Sequence, residues 1–351
     1  MLLTTGKFSG TVIPMSEKME KKRLAVLRFL ADSDGPQSSP AIAEHLTASG
    51  HEMSERTIRL YLQELDEEAL TENHGKRGRT ITEKGRAELG NARAFDKVGY
   101  LAAKIDRMMY RMTFNLRERT GTVVINLSII SNDMLATAVP LLSSVFRAGY
   151  SMGSLVGLFG PGERIGEVTI PQDAVGIGTV CSVTVNGVLL SEGIPTVSRF
   201  GGLLEIRNGK YTRFVELIHY EGTTLDPLEV FIRSRMTDYF GATTTGNGRI
   251  GASFREVPAE SRARIIDISE RLEQAGLSGF ISIGWPGQPL MEIPVGDGRI
   301  GIVVIGGLNP VAILEEKGIH VQFTGALAGL LDYGALYHYR EMEERAGILL
   351  K

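Results

Sequence analysis

The sequence predicts an α+β protein, with an N-terminal winged helix-turn-helix followed by an internally duplicated α/β domain. Three observations predict it. Residues 16–90 set three short amphipathic stretches ahead of a basic hairpin. Residues 117–351 alternate short β-rich apolar runs with helical ones. That second region also repeats itself, motif by motif and in the same order.

Residues 1–15 show no sustained periodicity and read as a leader. In 16–90, Leu24, Leu27 and Leu30 recur at helical spacing. Ser39-Pro40 opens a second helix, with Ser39 as N-cap and Pro40 in the first turn, Ile42 and Leu46 as its buried stripe, and Gly50 as its stop. Ser54 caps a third helix whose Ile58, Leu62 and Leu65 share one face. Gly75-Lys76-Arg77-Gly78 then turns between two short extended stretches. Residues 91–116 read as one connecting helix, with Phe95, Val98, Leu101, Ile105, Met108 and Met112 every three or four positions. It packs on its own domain or also pairs subunits.

The duplication spans about 118–240 and 246–336. Pro161 matches Pro286, Pro171 matches Pro294, Gly178 matches Gly301, Asn186 matches Asn309, and Gly193-Ile194 matches Gly318-Ile319. Each copy is a strand–helix–strands–helix–strand unit, and the first carries an extra strand (YTRFVELIHY) and helix (LDPLEVFIRSRM). Glycine, at 42 residues or ~12% against a usual ~7%, lies mostly in this region.

The formal net charge of −3 argues against a chain that coats nucleic acid by charge alone. One cysteine, Cys181, forms no internal disulfide, and no Cys/His cluster has zinc spacing, so a reducing cytoplasm fits. No apolar run approaches the ~18 residues needed to span a bilayer.

In the winged order the helix after the turn enters the major groove. Its early residues are Ser54, Glu55, Arg56, Thr57 and Arg59, with Gln63 one turn on. Arg56 and Arg59 suit guanine or phosphate, and Lys76, Arg77 and Arg79 sit at the hairpin tip, where a wing touches backbone or minor groove. Residues 16–90 hold 12 Lys/Arg against 14 Asp/Glu, so Glu64, Asp66, Glu67 and Glu68 must face away from DNA.

The duplicated region has no P-loop, H-E-x-x-H or nucleophile elbow, and no histidine lies near Cys181 in sequence, so catalysis, a metal and a cofactor are not expected. Cys181 reads as a small core residue or a pocket contact. Glycines cluster beside Asn, Ser and Thr at Asn186-Gly187, Ser198 to Gly202, Gly306 to Asn309 and Thr324-Gly325. They read either as turn chemistry or as a small-anion pocket, for which Arg199, Arg255 and Arg299 are the candidate cations.

SERTIRLYLQELDEEAL with GKRGRTITEKG, then MYRMTFNL, GTVVINLSII, GTVCSVTVNGVLLSEGIP, RFGGLLEI, LDPLEVFI and GRIGASFREVP, resembles NrpR-type nitrogen-responsive transcriptional repressors over about 20–335. The winged module alone also resembles the front of some ribonucleases. The resemblance implies a repressor of nitrogen-assimilation genes, a homodimer or higher homo-oligomer, bound to double-stranded operator DNA and released by 2-oxoglutarate. It makes Cys181, Asn186, Thr196, Ser198, Arg199, Gly201 and Gly202 effector-site neighbours, with Asn309 as the second copy's counterpart of Asn186. Some members carry two regulatory domains in tandem, whereas the length here leaves room for one. Two alternatives carry other expectations: an enzyme with a fused nucleic-acid module, and an adaptor whose winged helix binds protein.

Overall fold

The computed structural model describes residues 17–33, 35–48, 53–96, 100–166, 168–323 and 329–349, and side chains of 17–21 and 90–100 are not described. The expected leader, Gly50, Val98, the Phe95 side chain and Thr324-Gly325 lie outside these. The chain divides into two units, 1–96 and 97–351.

The first unit contains α1 (Glu17–Ala31), α2 (Ser39–Ala48), α3 (Glu55–Glu67), β1 (Thr71–Asn73), β2 (Arg79–Ile81) and α4 (Glu83–Asp96). The apolar stripes read from the sequence meet in one core of Leu24, Leu27, Leu30, Ile42, Leu46, Ile58, Leu62 and Leu65. Ser54 caps α3 as the spacing predicts, its Oγ accepting from Thr57 N at 3.2 Å. The cap of α2 is Ser38 rather than Ser39: Ser38 O accepts the first helical bond, from Ile42 N at 3.1 Å. β1 and β2 pair antiparallel, Thr71 opposite Ile81, and Arg79 also exchanges backbone bonds with Gln37 at 2.9 and 3.0 Å. Gly78 makes that bridge possible. Its φ is +105° and a Cβ there would lie 2.1 Å from Gln37 O.

Of the expected helix over 91–116, the described residues are helical to Asp96 in α4 and again over Tyr100–Arg111 in α5, and the helix stops at Arg111 rather than at 116. After Arg111 side chains bond the backbone in place of helical partners. Asn115 Oδ1 accepts from Arg117 N and Glu118 N, and Thr113 Oγ1 accepts from Thr122 N.

After α5 the second unit runs β3 (Thr122–Ser131), α6 (Leu135–Arg147), β4 (Leu155–Phe159), β5 (Arg164–Ile165), β6 (Val168–Thr169), β7 (Ala174–Val180), α7 (Val183–Ser191), β8 (Val197–Arg207), β9 (Lys210–His219), α8 (Pro227–Arg233) and α9 (Tyr239–Thr245). The second copy follows as β10 (Gly248–Pro258), α10 (Arg262–Gln274), β11 (Phe280–Ile283), β12 (Arg299–Ile305), α11 (Asn309–Glu316), β13 (Gln322–Phe323) and β14 (Gly329–Asp332), then β15 (Tyr337–His338) and α12 (Met342–Leu349). The element order repeats apart from β5 and β6 in the first copy and β13 in the second, and β9, α8 and α9 are the insertion in the first copy.

The copies do not form separate sheets. One sheet runs β13-β3-β7-β4-β15 with β14 also on β3, and the other runs β11-β12-β10-β8-β9. Each copy therefore gives its last strand to its sibling. β8 pairs with β10, Gly202 opposite Ala252, and β14 pairs with β3, Gly329 opposite Ile125. The registers make Ile125 and Ala252 counterparts, and likewise GLLE (202–205) and GLLD (329–332). Both sheets share one apolar core.

Those registers also correct the expected match of Asn186 with Asn309. Ile125 faces Val180 and Ala252 faces Ile305, so the residues four positions on, Thr184 and Asn309, are the counterparts. Their bonds agree. Thr184 Oγ1 accepts from Val124 N at 3.1 Å and donates to Val124 O at 3.0 Å. Asn309 Nδ2 donates to Gly251 O at 2.9 Å, and Tyr239 OH supplies the rest, donating to Asn309 Oδ1 (2.6 Å) and accepting from Gly251 N (2.7 Å). Both side chains stitch a helix start to a neighbouring strand.

Candidate functional site

On the first unit, Arg56, Arg59, Leu60 and Gln63 are exposed on α3 beside the buried Ile58, Tyr61 and Leu62. Arg59 pairs with Glu55 one turn back, while Arg56 has no ion pair among the described residues. Lys76 and Arg77 are exposed at the tip of the hairpin. Arg79 is not at the tip, where the sequence reading put it. Its Nε donates to Asp66 Oδ2 at 2.8 Å and its side chain is 17% exposed, so it ties the wing to α3. Arg56→Ala is expected to weaken DNA binding about tenfold and lower the salt slope by about one, whereas Arg79→Ala lowers the thermal midpoint of this unit first. Fluorescence anisotropy against salt, beside thermal melts, separates the two.

In the second unit, the turns leading into α7 and α11 meet. A Cβ on Gly307 would lie 2.5 Å from Asn126 Nδ2 and 2.7 Å from Val180 O, so only glycine lets them approach this closely. By the strand registers, Cys181-Ser182-Val183 and Gly306-Gly307-Leu308 are counterparts. Between them lies a cavity of about 30 Å3, with Asn126 of β3 on its wall. Leu101 and Ile105 of α5 close one side, and Tyr220, Asp226 and Leu228 of the inserted segment close another. The positive ends of two helices of nine and eight residues converge here.

Arg255 on β10 supplies full positive charge. It is 1% exposed, and its Nη2 donates to Ser182 O at 3.1 Å and Ser182 Oγ at 3.0 Å. Its Nε and Nη1 are buried without a hydrogen-bond partner among the described residues. Such donors are costly to leave unmet. The first copy has Ser128 at the corresponding place and so supplies no counterpart of this cation. Burial pushes the Cys181 thiol up to about 12, and burial raises the Tyr220 hydroxyl too, so both stay protonated. Burial also lifts the Asp226 carboxyl to about 6, against the pull of Leu228 N and Glu229 N, which donate to Oδ1 at 2.7 and 3.4 Å. Native Cys181 is therefore expected to alkylate ~10³-fold more slowly than a free thiol at pH 8, read by mass spectrometry of iodoacetamide-treated protein.

The structure places the other sequence-named residues as follows. Gly201 abuts the inserted segment, its Cβ position 3.2 Å from Tyr220 Oη. Ser198 lies opposite Arg255 across β8 and β10, and its Oγ accepts from Asn186 Nδ2 at 2.9 Å. Asn186 is buried, with Oδ1 unpartnered among the described residues. Thr196 bonds locally to Ile194 O, and Gly202 packs on Glu216 O and Phe214. Arg199 is 46% exposed beside Glu256 at 3.8 Å, and Arg299 Nη1 reaches Glu256 O at 3.5 Å. Of the three candidate cations, Arg255 alone bonds to a residue of the cavity wall, Ser182. Sequence reasoning missed Asp226 and Tyr220, which lie in the insertion and have no counterpart in the second copy. Among the described residues no group of three His, Cys, Asp or Glu is placed to hold a metal, and no helix is long and apolar enough to cross a membrane.

Comparison with known proteins agrees with this two-part build. A family model of the NrpR regulatory domains NRD1 and 2 matches residues 98–338, and one of the ribonuclease R winged-helix domain matches 24–89. The global nitrogen regulator NrpRI of Methanosarcina mazei is 36% identical over 319 residues, covering 91% of this chain and 98% of that protein. The global nitrogen regulator NrpR of Methanocaldococcus jannaschii is 31% identical over 304 residues, 87% of this chain and 52% of that protein. That of Methanococcus maripaludis is 28% identical over 301 residues, 86% of this chain and again 52% of the relative. The chain thus spans about half the length of these last two. A crystal structure of a nitrogen repressor-like protein from Methanococcus jannaschii matches with a TM-score of 0.57 at 28% identity, over 68% of this chain and 97% of that one.

Proposed function

Since this chain belongs to the NrpR family of global nitrogen regulators, we propose that it represses nitrogen-assimilation genes through its winged helix and releases DNA when 2-oxoglutarate occupies the cavity at the meeting turns. The observation that carries this is Arg255, a buried guanidinium with two unmet donors beside two helix N-termini. That arrangement suits a carboxylate. Cys181, Ser182, Asn126 and Tyr220 offer neutral polar groups for the rest of the ligand.

About 30 Å3 holds roughly one water, so a five-carbon dicarboxylate must displace a wall. α5 is the wall that packs outside the main core. Its Leu101, Ile105 and Met108 form a small apolar cluster with Val124, Cys181 and Val183, apart from the main core. α5 is also where the chain arrives from the winged-helix unit. A ligand favouring the displaced α5 shifts the population away from the DNA-competent state. In a homodimer the two α3 helices must sit about one turn of DNA apart, ~34 Å, so a small shift at α5 is enough to spoil the match.

The test is anisotropy on promoter fragments of nitrogen-assimilation genes, with saturating 2-oxoglutarate and with succinate as control. DNA affinity unchanged by 2-oxoglutarate overturns the proposal. In parallel, ligand at 100 times its dissociation constant should stabilise the second unit by ~2.7 kcal/mol, about 5–10 °C in its thermal midpoint.

A further inference from the structure

Two charges of opposite sign stand at the cavity, Asp226 on its wall and Arg255 bonded to the lining Ser182, and they are not paired with each other. Arg255 and Asp226 both lie within electrostatic reach of Cys181 and Tyr220, yet no ion pair joins them among the described residues. Arg255 has Nε and Nη1 unmet. Asp226 spends Oδ1 on Leu228 N and Glu229 N and leaves Oδ2 without a hydrogen bond among the described residues. A dicarboxylate answers the first charge but faces the second as a like charge. A molecule with one carboxylate and one ammonium answers both.

We propose that the same cavity takes a zwitterionic α-amino acid as a competing ligand, its carboxylate on Arg255 and its ammonium on Asp226. This rests on the reading of the cavity as the effector site. An α-amino acid also exceeds the cavity of about 30 Å3, so both ligand classes need a wall displaced. Once inside, the amino acid satisfies both charges, whereas the dicarboxylate is repelled by Asp226. Around Asp226 the other charged or titratable groups are Lys104 of α5, Glu229 of α8, Tyr220, Cys181 and Arg255. Lys104 lowers the Asp226 pKa and Glu229 raises it, and Asp226 keeps most of its charge at pH 7.5.

Isothermal titration calorimetry of the full chain with 2-oxoglutarate, L-glutamate and L-glutamine tests this. Both classes should bind the wild-type protein and exclude each other. Asp226→Asn should weaken the amino acids at least tenfold and tighten 2-oxoglutarate several-fold, because asparagine keeps the N-cap of α8 but not the charge. As pH falls from 7.5 to 5.5 on the wild-type chain, Asp226 takes up its proton, so amino-acid affinity should fall and 2-oxoglutarate affinity rise. That measurement stands even where the variant folds poorly. Binding of 2-oxoglutarate with no amino-acid binding overturns this proposal and leaves the effector site standing. Binding of neither overturns both. Equal weakening of both classes by Asp226→Asn reduces Asp226 to a helix cap and also overturns the proposal.

Discussion

Arg255→Gln should abolish release of DNA by 2-oxoglutarate while leaving DNA binding without the ligand unchanged. Glutamine keeps polarity and part of the length but has neither the charge nor the forked donors of a guanidinium. Truncating one partner of a buried charged pair costs roughly 2–5 kcal/mol, so effector affinity should drop by about 30-fold or more. The thermal midpoint should move the other way or stay put. Among the described residues the guanidinium has hydrogen bonds at Nη2 alone and no group of opposite charge within ion-pair distance. Removing a poorly compensated buried charge is neutral or stabilising. Loss of response without loss of stability separates a ligand-binding arginine from a structural one. A variant that responds normally refutes the assignment. The readouts are anisotropy on operator DNA and differential scanning calorimetry.

Tyr239→Phe should destabilise the second unit by roughly 2–4 kcal/mol. The hydroxyl, in a side chain 0% exposed, donates to Asn309 Oδ1 and accepts from Gly251 N. Phenylalanine keeps the ring and strands both partners in the core, at about 1–3 kcal/mol for each unmet group. For a unit of this size that is a fall of about 5–15 °C in thermal midpoint. The first unit has its own core and should melt where it did before. A calorimetric trace with one transition lowered and the other unmoved is the expected result. A midpoint within a degree of wild type would show that water replaces the hydroxyl.

Much of the fold was legible because short-range physics writes it. The 3.6-residue spacing of Leu24, Leu27 and Leu30, the Ser54 cap and the Gly75–Gly78 turn each sit inside one element, and each element formed where expected. The repeat was legible through shared turns such as Pro161 and Pro286. Which sheet a strand joins was not. RFGGLLEI reads the same whether β8 pairs within its own copy or with β10. The Asn186–Asn309 match failed for a related reason. An alignment joins identical letters, whereas the strand register aligns Thr184, a different letter making the same bonds. Arg255 was named with two other arginines because burial is not written locally. The one available signal was its place in RIGASFREV, inside a run otherwise suited to a core strand. Arg79 was misplaced because the sequence shows a basic wing but not the Asp66 waiting beneath it.

The traded final strands set the timetable of synthesis. β3, β4 and β7 are all made once residue 180 has been added, but the edge of β3 stays open until β14, roughly 150 residues later. At 5–20 residues per second the nascent chain carries that bare apolar edge for roughly 8–30 s. An edge of this kind invites pairing with any neighbouring strand, including the same segment of the next chain on a polysome. β10 has no such wait, because β8 is already outside the ribosome when β10 emerges. The sheet begun second is thus the first to find its exchanged strand, and the sheet begun first must be kept from aggregating until β14 is made.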